Sequence, residues 1–186
     1  ASTPRNKGIP KSTIGLQFDF PYNNLPAVEQ LFDQHRGEVA AVIMEPYRTA
    51  SPEPGFLEGV IELAHSNGAV VIYDEIASGF KFRVGGIQEM YGVTPDMACF
   101  GKAMGNGMPI STIIGTADVM SAFEEVFFSF TFGGECLSLA ASIATIKELQ
   151  EKDIYSHTWE VGRRLQEGYN RMAWDLKIEQ NTQILG

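Results

Sequence analysis

Short apolar runs alternate along this chain with longer segments in which apolar residues recur at helical spacing. Val39–Met44 and Ala69–Tyr73 are apolar on both faces, as in buried parallel strands, and Met97–Phe100 predicts a third short strand. Thr112–Ile114 predicts a fourth strand, and Phe127–Thr131 also has strand character. Strands that alternate with helices predict an α/β domain with a mostly parallel sheet, flanked and covered on both sides by helices.

The amphipathic segments predict helices with recognisable ends. The first begins after Asn24, which can cap it, and tolerates Pro26 in its first turn. The next carries one apolar stripe from Phe56 to Ala64 and ends at Asn67–Gly68, a C-terminal stop signal. The other expected helical segments are a single turn around Gln88–Met90 and two long helices, roughly Leu137–Glu151 and Asp153–Trp174.

Composition narrows the classes of function. Apolar residues make up 44% of the chain and charged residues 20%, which is ordinary for a globular protein. The net charge of −9 argues against binding to nucleic acid or to an anionic membrane surface. Two cysteines, Cys99 and Cys136, do not make a disulfide framework, so a reducing, cytoplasmic location is favoured. With only three histidines, far apart in sequence, no metal site is expected.

Polar side chains follow three of the predicted strands. Glu45 follows the first strand, Asp74 and Glu75 follow the second, and Lys102 follows the third after one glycine. Because the carboxyl ends of parallel strands meet at one edge of a sheet, these side chains are expected at a common rim where ligands bind. Taken singly, an aspartate at a strand end usually caps a turn, and a lysine among glycines is usually solvated.

Taken together, Asp74 and Lys102 make a candidate site at this rim, with two groups that pyridoxal phosphate requires. A partly desolvated lysine amine can condense with an aldehyde, and a carboxylate beside a ring nitrogen keeps that nitrogen protonated. The phosphate of this cofactor needs backbone N–H groups, hydroxyls and helix N-termini. Ser129, Thr131 and Gly133–Gly134, directly before the first long helix, offer those groups.

The motifs around these residues resemble those of the class III (subgroup II) pyridoxal phosphate-dependent aminotransferases. The likeness covers essentially the whole chain, with the same order and spacing throughout. Val70–Phe80 resembles the family's aspartate motif, and Phe100–Pro109 resembles its Schiff-base lysine motif. Thr131–Gly134 resembles its threonine-glycine turn, and Glu45–Pro46 resembles its Glu-Pro pair. Pro54–Glu58 and Tyr91–Asp96 are similar to the branch that contains glutamate-1-semialdehyde 2,1-aminomutase.

The resemblance implies a role for each matching residue. Lys102 would form the Schiff base with the cofactor and carry a proton between the substrate carbon and the cofactor carbon. Asp74 would pair with the pyridinium nitrogen, and Ile76 would pack against one face of the ring. Thr131 would bind the phosphate of the neighbouring subunit's cofactor, which implies a homodimer. Glu45 would lie on the substrate side, or else cap a turn or helix.

The resemblance also implies a fold type I domain that carries out amino-group transfer between small amino and keto compounds, as an aminotransferase or an aminomutase. Two departures concern the site. Glu135–Cys136 stand where the family usually has Asn-Pro, and the loop Tyr47–Pro54 is short. Two alternatives are a catalytically silent fragment or interaction module without a complete cofactor pocket, and a site completed by other segments or chains.

The domain organisation expected from this resemblance is partial. Residues 1–174 would form the large cofactor-binding domain without its N-terminal part, and residues 175–186 would begin a connection to a small domain. The chain starts without Met and stops at Ile184–Gly186, where a further strand would open. We therefore expect a fragment.

Overall fold

The computed structural model describes residues 7–184 as a four-stranded sheet with helices packed on one of its faces. The strands are β1 (Ala41–Met44), β2 (Val70–Asp74), β3 (Met97–Phe100) and β4 (Thr112–Gly115), and they lie in chain order across the sheet. The first three strands are parallel, and β4 runs antiparallel to β3. The mostly parallel sheet expected from the sequence is therefore confirmed.

Seven α-helices connect and flank these strands within the described residues. They are α1 (Lys11–Ile14), α2 (Leu25–Gln34), α3 (Phe56–Ser66), α4 (Gly86–Tyr91), α5 (Ala117–Met120), α6 (Cys136–Glu151) and α7 (Ile154–Asp175). The predicted helices are confirmed to within two residues at their ends, whereas the single turns α1 and α5 were not predicted. In residues 7–184, no helix is both long and apolar enough to cross a membrane. The strand predicted to open at Ile184 falls mainly on Leu185 and Gly186, which lie outside the described residues, as do residues 1–6.

The ends of α2 and α3 form for the reasons that the sequence indicates. The Oδ1 atom of Asn24 accepts a hydrogen bond from the Ala27 amide at 3.1 Å, which satisfies one of the free N–H groups at the start of α2. α3 is followed by Asn67 and then by Gly68, whose φ of +74° is a left-handed conformation that glycine adopts without strain. Both helices bury their apolar stripes in the core that covers one face of the sheet.

The described residues cover only this one face. Val42, Tyr73 and Phe100 are buried in the core, but Ile43 is 62% exposed and Cys99 is partly exposed on the opposite face. Side chains alternate across a strand, so a strand that is apolar at every position needs a covering layer on each side. Helices flank the sheet as expected, but the second covering layer is not supplied by residues 7–184.

The strand predicted at Phe127–Thr131 is wrong, because this segment has no regular secondary structure. Phe127 is 96% exposed, and the rings of Phe128 and Phe130 meet edge to face with their centroids 4.8 Å apart. An aromatic run forms a strand only where a neighbouring strand can pair with it. In the described part of the chain this run pairs with none of the four strands.

A buried carboxylate joins the end of β2 to the start of α4. Glu75 is fully buried, and its side chain accepts a hydrogen bond from the Ser78 hydroxyl at 2.6 Å. It also accepts hydrogen bonds from the amides of Ile87 and Gln88, at 2.7 and 3.0 Å. Gly86 has a φ of +79°, and a Cβ atom there would lie 2.6 Å from this carboxylate. The turn into α4 therefore needs glycine both for its backbone conformation and for the lack of a side chain.

We expect the replacement of Gly86 to destabilise the protein more than the replacement of Gly92. Both residues have positive φ, so Gly86→Ala and Gly92→Ala should each introduce about 1–2 kcal/mol of backbone strain. Only Gly86→Ala also forces a methyl group against the Glu75 carboxylate, which should cost roughly a further 1–3 kcal/mol. Denaturant unfolding of the two variants measures the difference, and equal losses would contradict this packing.

A second carboxylate links α3 to the sheet. Asp96, just before β3, accepts a hydrogen bond from the Val71 amide at 2.7 Å and pairs with the Nε2 atom of His65 at 2.9 Å. Partial burial acts to raise the pKa of Asp96, but the Val71 amide and the His65 side chain together outweigh it and lower that pKa. The ionised form of Asp96 is therefore the form that the fold stabilises.

The replacement Asp96→Asn should have a pH-dependent effect on stability. Because the pKa of Asp96 is lower in the folded than in the unfolded protein, its contribution is complete near neutral pH and disappears as the pH falls through the folded-state pKa. We expect Asp96→Asn to reduce the free energy of unfolding by roughly 1–2 kcal/mol near neutral pH, and by less below about pH 4. Urea unfolding at both pH values measures this, with Asp118→Asn on α5 as the exposed control. A loss that does not change with pH would show that the charge of Asp96 is not involved.

Candidate active site

The polar residues that follow the strands lie along the carboxyl edge of the sheet. β2 and β3 pair in parallel with Asp74 opposite Cys99. Lys102 follows the end of β3 after Gly101, and Glu45 directly follows the adjacent strand β1. The register of the sheet therefore brings the ends of three strands, with Glu45, Asp74 and Lys102, to the same edge.

Asp74 is half-buried at the end of β2, on the face of the sheet that the described helices leave open. Val71 and Tyr73 are buried on the other face, whereas Ile72 and Asp74 are only partly buried. The Oδ1 atom of Asp74 accepts a hydrogen bond from the Ile76 amide at 3.1 Å. Its Oδ2 atom accepts no hydrogen bond from the described residues. One carboxylate oxygen is therefore held locally, and the other is free to accept a hydrogen bond from a ligand.

Cys99 lies beside this carboxylate. Burial, and to a smaller extent the negative charge of Asp74, raise the pKa of the Cys99 thiol. The thiol is therefore held in its neutral form. Sequence reasoning gave Cys99 no role at the site.

Lys102 has a backbone conformation that lysine rarely adopts. Its φ of +42° lies in the left-handed region, where a residue with a side chain is strained by about 1–3 kcal/mol. The turn around it is tightly packed, because Met104 is buried and a Cβ atom on Gly105 would lie 2.6 Å from the Ile110 side chain. The Lys102 side chain is exposed and forms no hydrogen bond or ion pair with residues 7–184. Strain of this kind concentrates at functional sites, and this amine is free to meet a ligand.

Ile76 connects Asp74 to the lysine turn. A Cβ atom on Gly101 would lie 3.7 Å from the Cγ2 atom of Ile76, which is ordinary van der Waals contact. The Ile76 side chain therefore lies beside the residue that precedes Lys102, while the Ile76 amide donates to Asp74. Asp74, Ile76 and Gly101, the residue before Lys102, thus form one contiguous group.

Glu45 lies next to this group at the end of β1. Its Oε1 atom is 3.8 Å from the Nε atom of Arg48, and both side chains are about half exposed, so the ion pair contributes little to stability. Among the described residues Glu45 caps no helix or turn through its side chain. The Tyr22 hydroxyl donates a hydrogen bond to the Pro46 carbonyl at 2.7 Å, which fixes the turn that follows Glu45.

The turn before α6 differs from what the sequence led us to expect. Glu135 caps this helix, and its carboxylate accepts hydrogen bonds from the amides of Leu137 and Ser138 at 2.6 and 2.7 Å. The helix N-terminus that sequence reasoning offered to a phosphate is therefore already bound to a carboxylate of the same chain. Thr131 lies in the exposed turn just before this cap and forms no hydrogen bond with the described residues, so no contact links it to Asp74.

Two grooves of about 720 and 600 Å³ open on the surface of residues 7–184, and neither is lined by Asp74 or Lys102. The larger groove runs along β1 and residues 16–20 and includes Glu45. The smaller groove lies between α4, α6 and β4. The contiguous group therefore stands at an open edge of the sheet rather than inside either groove.

The groups at this edge fit the ring of pyridoxal phosphate. A free carboxylate oxygen on Asp74 suits a protonated ring nitrogen, the Ile76 side chain suits an aromatic face, and the unpaired Lys102 amine suits an aldehyde. The phosphate end of the cofactor has no comparable set of partners at this edge within the described residues.

Sequence reasoning assigned no role to Glu75 and Glu135. It placed Glu75 at the rim with Asp74, but the structure places Glu75 inside the protein. The inward position of Glu75 could have been predicted, because neighbouring residues of a strand point to opposite faces, so Asp74 and Glu75 could not both face the same side of the rim. For Glu135 the signal was its position directly before a helix, where a carboxylate can bind the first free amides.

Comparisons with known proteins agree with this picture. Residues 9–182 match the family model of the class-III aminotransferases. An ω-transaminase from Sphaerobacter thermophilus has a TM-score of 0.84 and 29% sequence identity, over 94% of this chain and 42% of that chain. The FumI protein from Sphingopyxis sp. MTA144, in its PLP internal aldimine form, has a TM-score of 0.88 and 25% identity, over 93% of this chain and 43% of that chain. An ornithine δ-aminotransferase from Plasmodium falciparum has a TM-score of 0.72 and 26% identity, over 84% of this chain and 42% of that chain.

These matches also give the share of each solved structure's length that this chain covers. It spans less than half the length of each of the three solved structures, 42–43%. The described sheet and helices accordingly form part of a fold type I domain, the fold of the pyridoxal phosphate-dependent transaminases. Since the family match runs over most of the sequence, the protein belongs to the class-III aminotransferase family.

Proposed function

We propose that this protein takes part in pyridoxal phosphate-dependent amino-group transfer, with Lys102 as the residue that binds the cofactor covalently. The observation that carries the proposal is the position of Asp74 and Ile76 beside the residue that precedes the strained Lys102, at one edge of the sheet. Family membership supports it, as does the likeness to a transaminase and to a protein solved with PLP. When bound, the cofactor would supply an electron sink for the loss of a proton from a substrate carbon.

Asp74 acts in this proposal through its free carboxylate oxygen. Oδ1 is held by the Ile76 amide, so Oδ2 keeps a fixed direction from which it can accept a hydrogen bond from a protonated ring nitrogen. The neutral thiol of Cys99 beside it adds no second negative charge. Asp74 thereby keeps the proton on the ring nitrogen, and Ile76 covers one face of the ring.

Lys102 acts as nucleophile and then as proton carrier. Its amine has no counter-ion among the described residues, and after loss of a proton it could condense with an aldehyde, with release of water. The left-handed backbone of Lys102, set in the packed turn before Gly105, fixes where the side chain leaves the main chain. The Lys102 Nζ atom, when not bonded to the cofactor, would be available to accept a proton from the substrate carbon and to return it.

The substrates would be small amino and keto compounds. Glu45, at the neighbouring strand end, is placed on the substrate side in this proposal. An intramolecular transfer, as in an aminomutase, is the second candidate, and it is supported by the segments Pro54–Glu58 and Tyr91–Asp96.

The proposal includes a homodimer. Thr131 is exposed and unbonded within residues 7–184, and Phe127 and Phe132 near it are 96% and 71% exposed. Aromatic side chains that are this exposed favour a surface that another subunit covers. Thr131 would then bind the phosphate of the cofactor held by the partner subunit.

Covalent attachment of the cofactor is expected to depend on Lys102. Addition of pyridoxal phosphate should give an absorption band that borohydride reduction converts into a stable adduct, which peptide mass spectrometry should locate on Lys102. Lys102→Ala should abolish the adduct. Lys177→Ala is the matched control, because Lys177 is also an exposed lysine with positive φ, at +57°. Trapping that persists in Lys102→Ala, or that disappears in Lys177→Ala, would refute the assignment of Lys102.

Amino transfer is expected to depend on the charge of Asp74. Before any reduction, Asp74→Asn should still give the absorption band that depends on Lys102, but the discharge of this band by an amino donor should slow roughly 100-fold, because an amide does not hold the ring nitrogen protonated. Stopped-flow absorbance measures this rate, with Asp118→Asn as the control. An unchanged rate in Asp74→Asn would exclude the proposed role. If no amino donor discharges the unreduced absorption band of the unmodified protein, the silent-fragment alternative is favoured instead.

A further inference from the structure

Glu75 is a fully buried carboxylate between two residues of the proposed site, and the proposed chemistry does not use it. We infer that Glu75 is a positioning residue that holds Asp74 and Ile76 in the directions needed to bind the cofactor ring. This inference rests on the proposed function, since it names what keeps that site in shape.

The Glu75 side chain is held from several directions. One carboxylate oxygen, Oε2, accepts from the Ser78 hydroxyl at 2.6 Å and from the Ile87 amide at 3.0 Å. The other, Oε1, accepts from the amides of Ile87 and Gln88 at 2.7 and 3.0 Å. Every one of these partners donates to the carboxylate, so both of its oxygen atoms are held in place.

The main chain of Glu75 is fixed as well. Its amide donates to the Cys99 carbonyl at 2.9 Å, which extends the pairing of β2 with β3 by one residue. Its carbonyl accepts from the Gly79 amide at 2.7 Å. A residue tied by both its side chain and its main chain has little freedom to rotate.

Such a constraint is passed on to the neighbouring residues. In an extended segment, a side chain that points into the protein sends the side chains before and after it to the opposite face. With Glu75 turned inward, Asp74 therefore faces the open side of the sheet. The hydrogen bond from the Ile76 amide to Asp74 Oδ1 links the two flanking residues directly. Loss of the inward anchor would release both of them.

Steric packing supports the same conclusion. A Cβ atom on Gly79 would lie 2.4 Å from the Phe100 ring and 2.8 Å from the Glu75 carbonyl oxygen. A Cβ atom on Gly86 would lie 2.6 Å from the Glu75 carboxylate. The loop that carries Ile76 is thus closed around Glu75 with no space for another side chain at either glycine.

The test uses Glu75→Gln, which keeps the size of the side chain but puts an NH₂ group among donors. The matched control is Glu89→Gln. Glu89, which lies on α4, likewise accepts a hydrogen bond from a backbone amide, that of Gly85 at 2.6 Å, but its side chain is exposed. Cofactor affinity is measured by titration with pyridoxal phosphate, and thermal unfolding is recorded on the same samples. The pH titration of the absorption band of the Lys102 adduct is the spectroscopic readout.

We expect Glu75→Gln to weaken cofactor affinity about tenfold or more and to shift the pH titration of the unreduced absorption band. The affinity and the titration both depend on the position of the Asp74 carboxylate. Glu89→Gln should leave both unchanged. Ser78→Ala removes one donor and keeps the charge, so it should give a smaller loss of affinity and a smaller shift, and it serves if Glu75→Gln does not fold.

One result would overturn the role given to Glu75 alone, and a different result would overturn the proposed function on which it rests. If Glu75→Gln, or Ser78→Ala in its place, lowers the unfolding temperature but binds the cofactor and titrates like the unmodified protein, then Glu75 only stabilises the fold. If the unmodified protein itself gives no adduct on Lys102, then the proposed function fails, and with it the role given to Glu75.

Discussion

The pleat at the carboxyl end of β2 sends two adjacent acids in opposite directions, and the candidate site depends on it. Asp74 faces the open side of the sheet, whereas Glu75 points inward to the amides that begin α4. A shift of register by one residue would exchange these roles, leaving Asp74 buried and Glu75 at the rim. The pairing of Asp74 with Cys99 across to β3 fixes this register, and the Glu75 network reinforces it.

Lys102 contributes a different kind of constraint. A left-handed lysine is unfavourable by itself, and it persists only because the turn that contains Met104 and Gly105 packs against its surroundings. The protein therefore holds an exposed, unpaired amine on strained but well-packed backbone, at the same edge of the sheet as Ile76 and the Asp74 carboxylate.

The order of strands and helices could be predicted from the sequence because apolar runs and caps such as Asn24 act locally. The likeness of the Asp74 and Lys102 motifs to a family pointed to the carboxyl edge of the sheet, where both residues lie. What could not be predicted depended on non-local partners. Phe127–Thr131 has strand composition but pairs with none of the four strands, and Ile43 is apolar but uncovered in residues 7–184. The Glu135 cap was hidden because the same helix end also suited a phosphate.

The most direct test of this site is a crystal structure of the protein with pyridoxal phosphate. It should show the ring nitrogen within about 2.7–2.9 Å of Asp74 Oδ2, the Ile76 side chain against one face of the ring, and the Lys102 Nζ atom bonded to the carbon of the former aldehyde. A ring bound elsewhere, or Asp74 and Lys102 facing different sides of the molecule with no space for a ring between them, would contradict it.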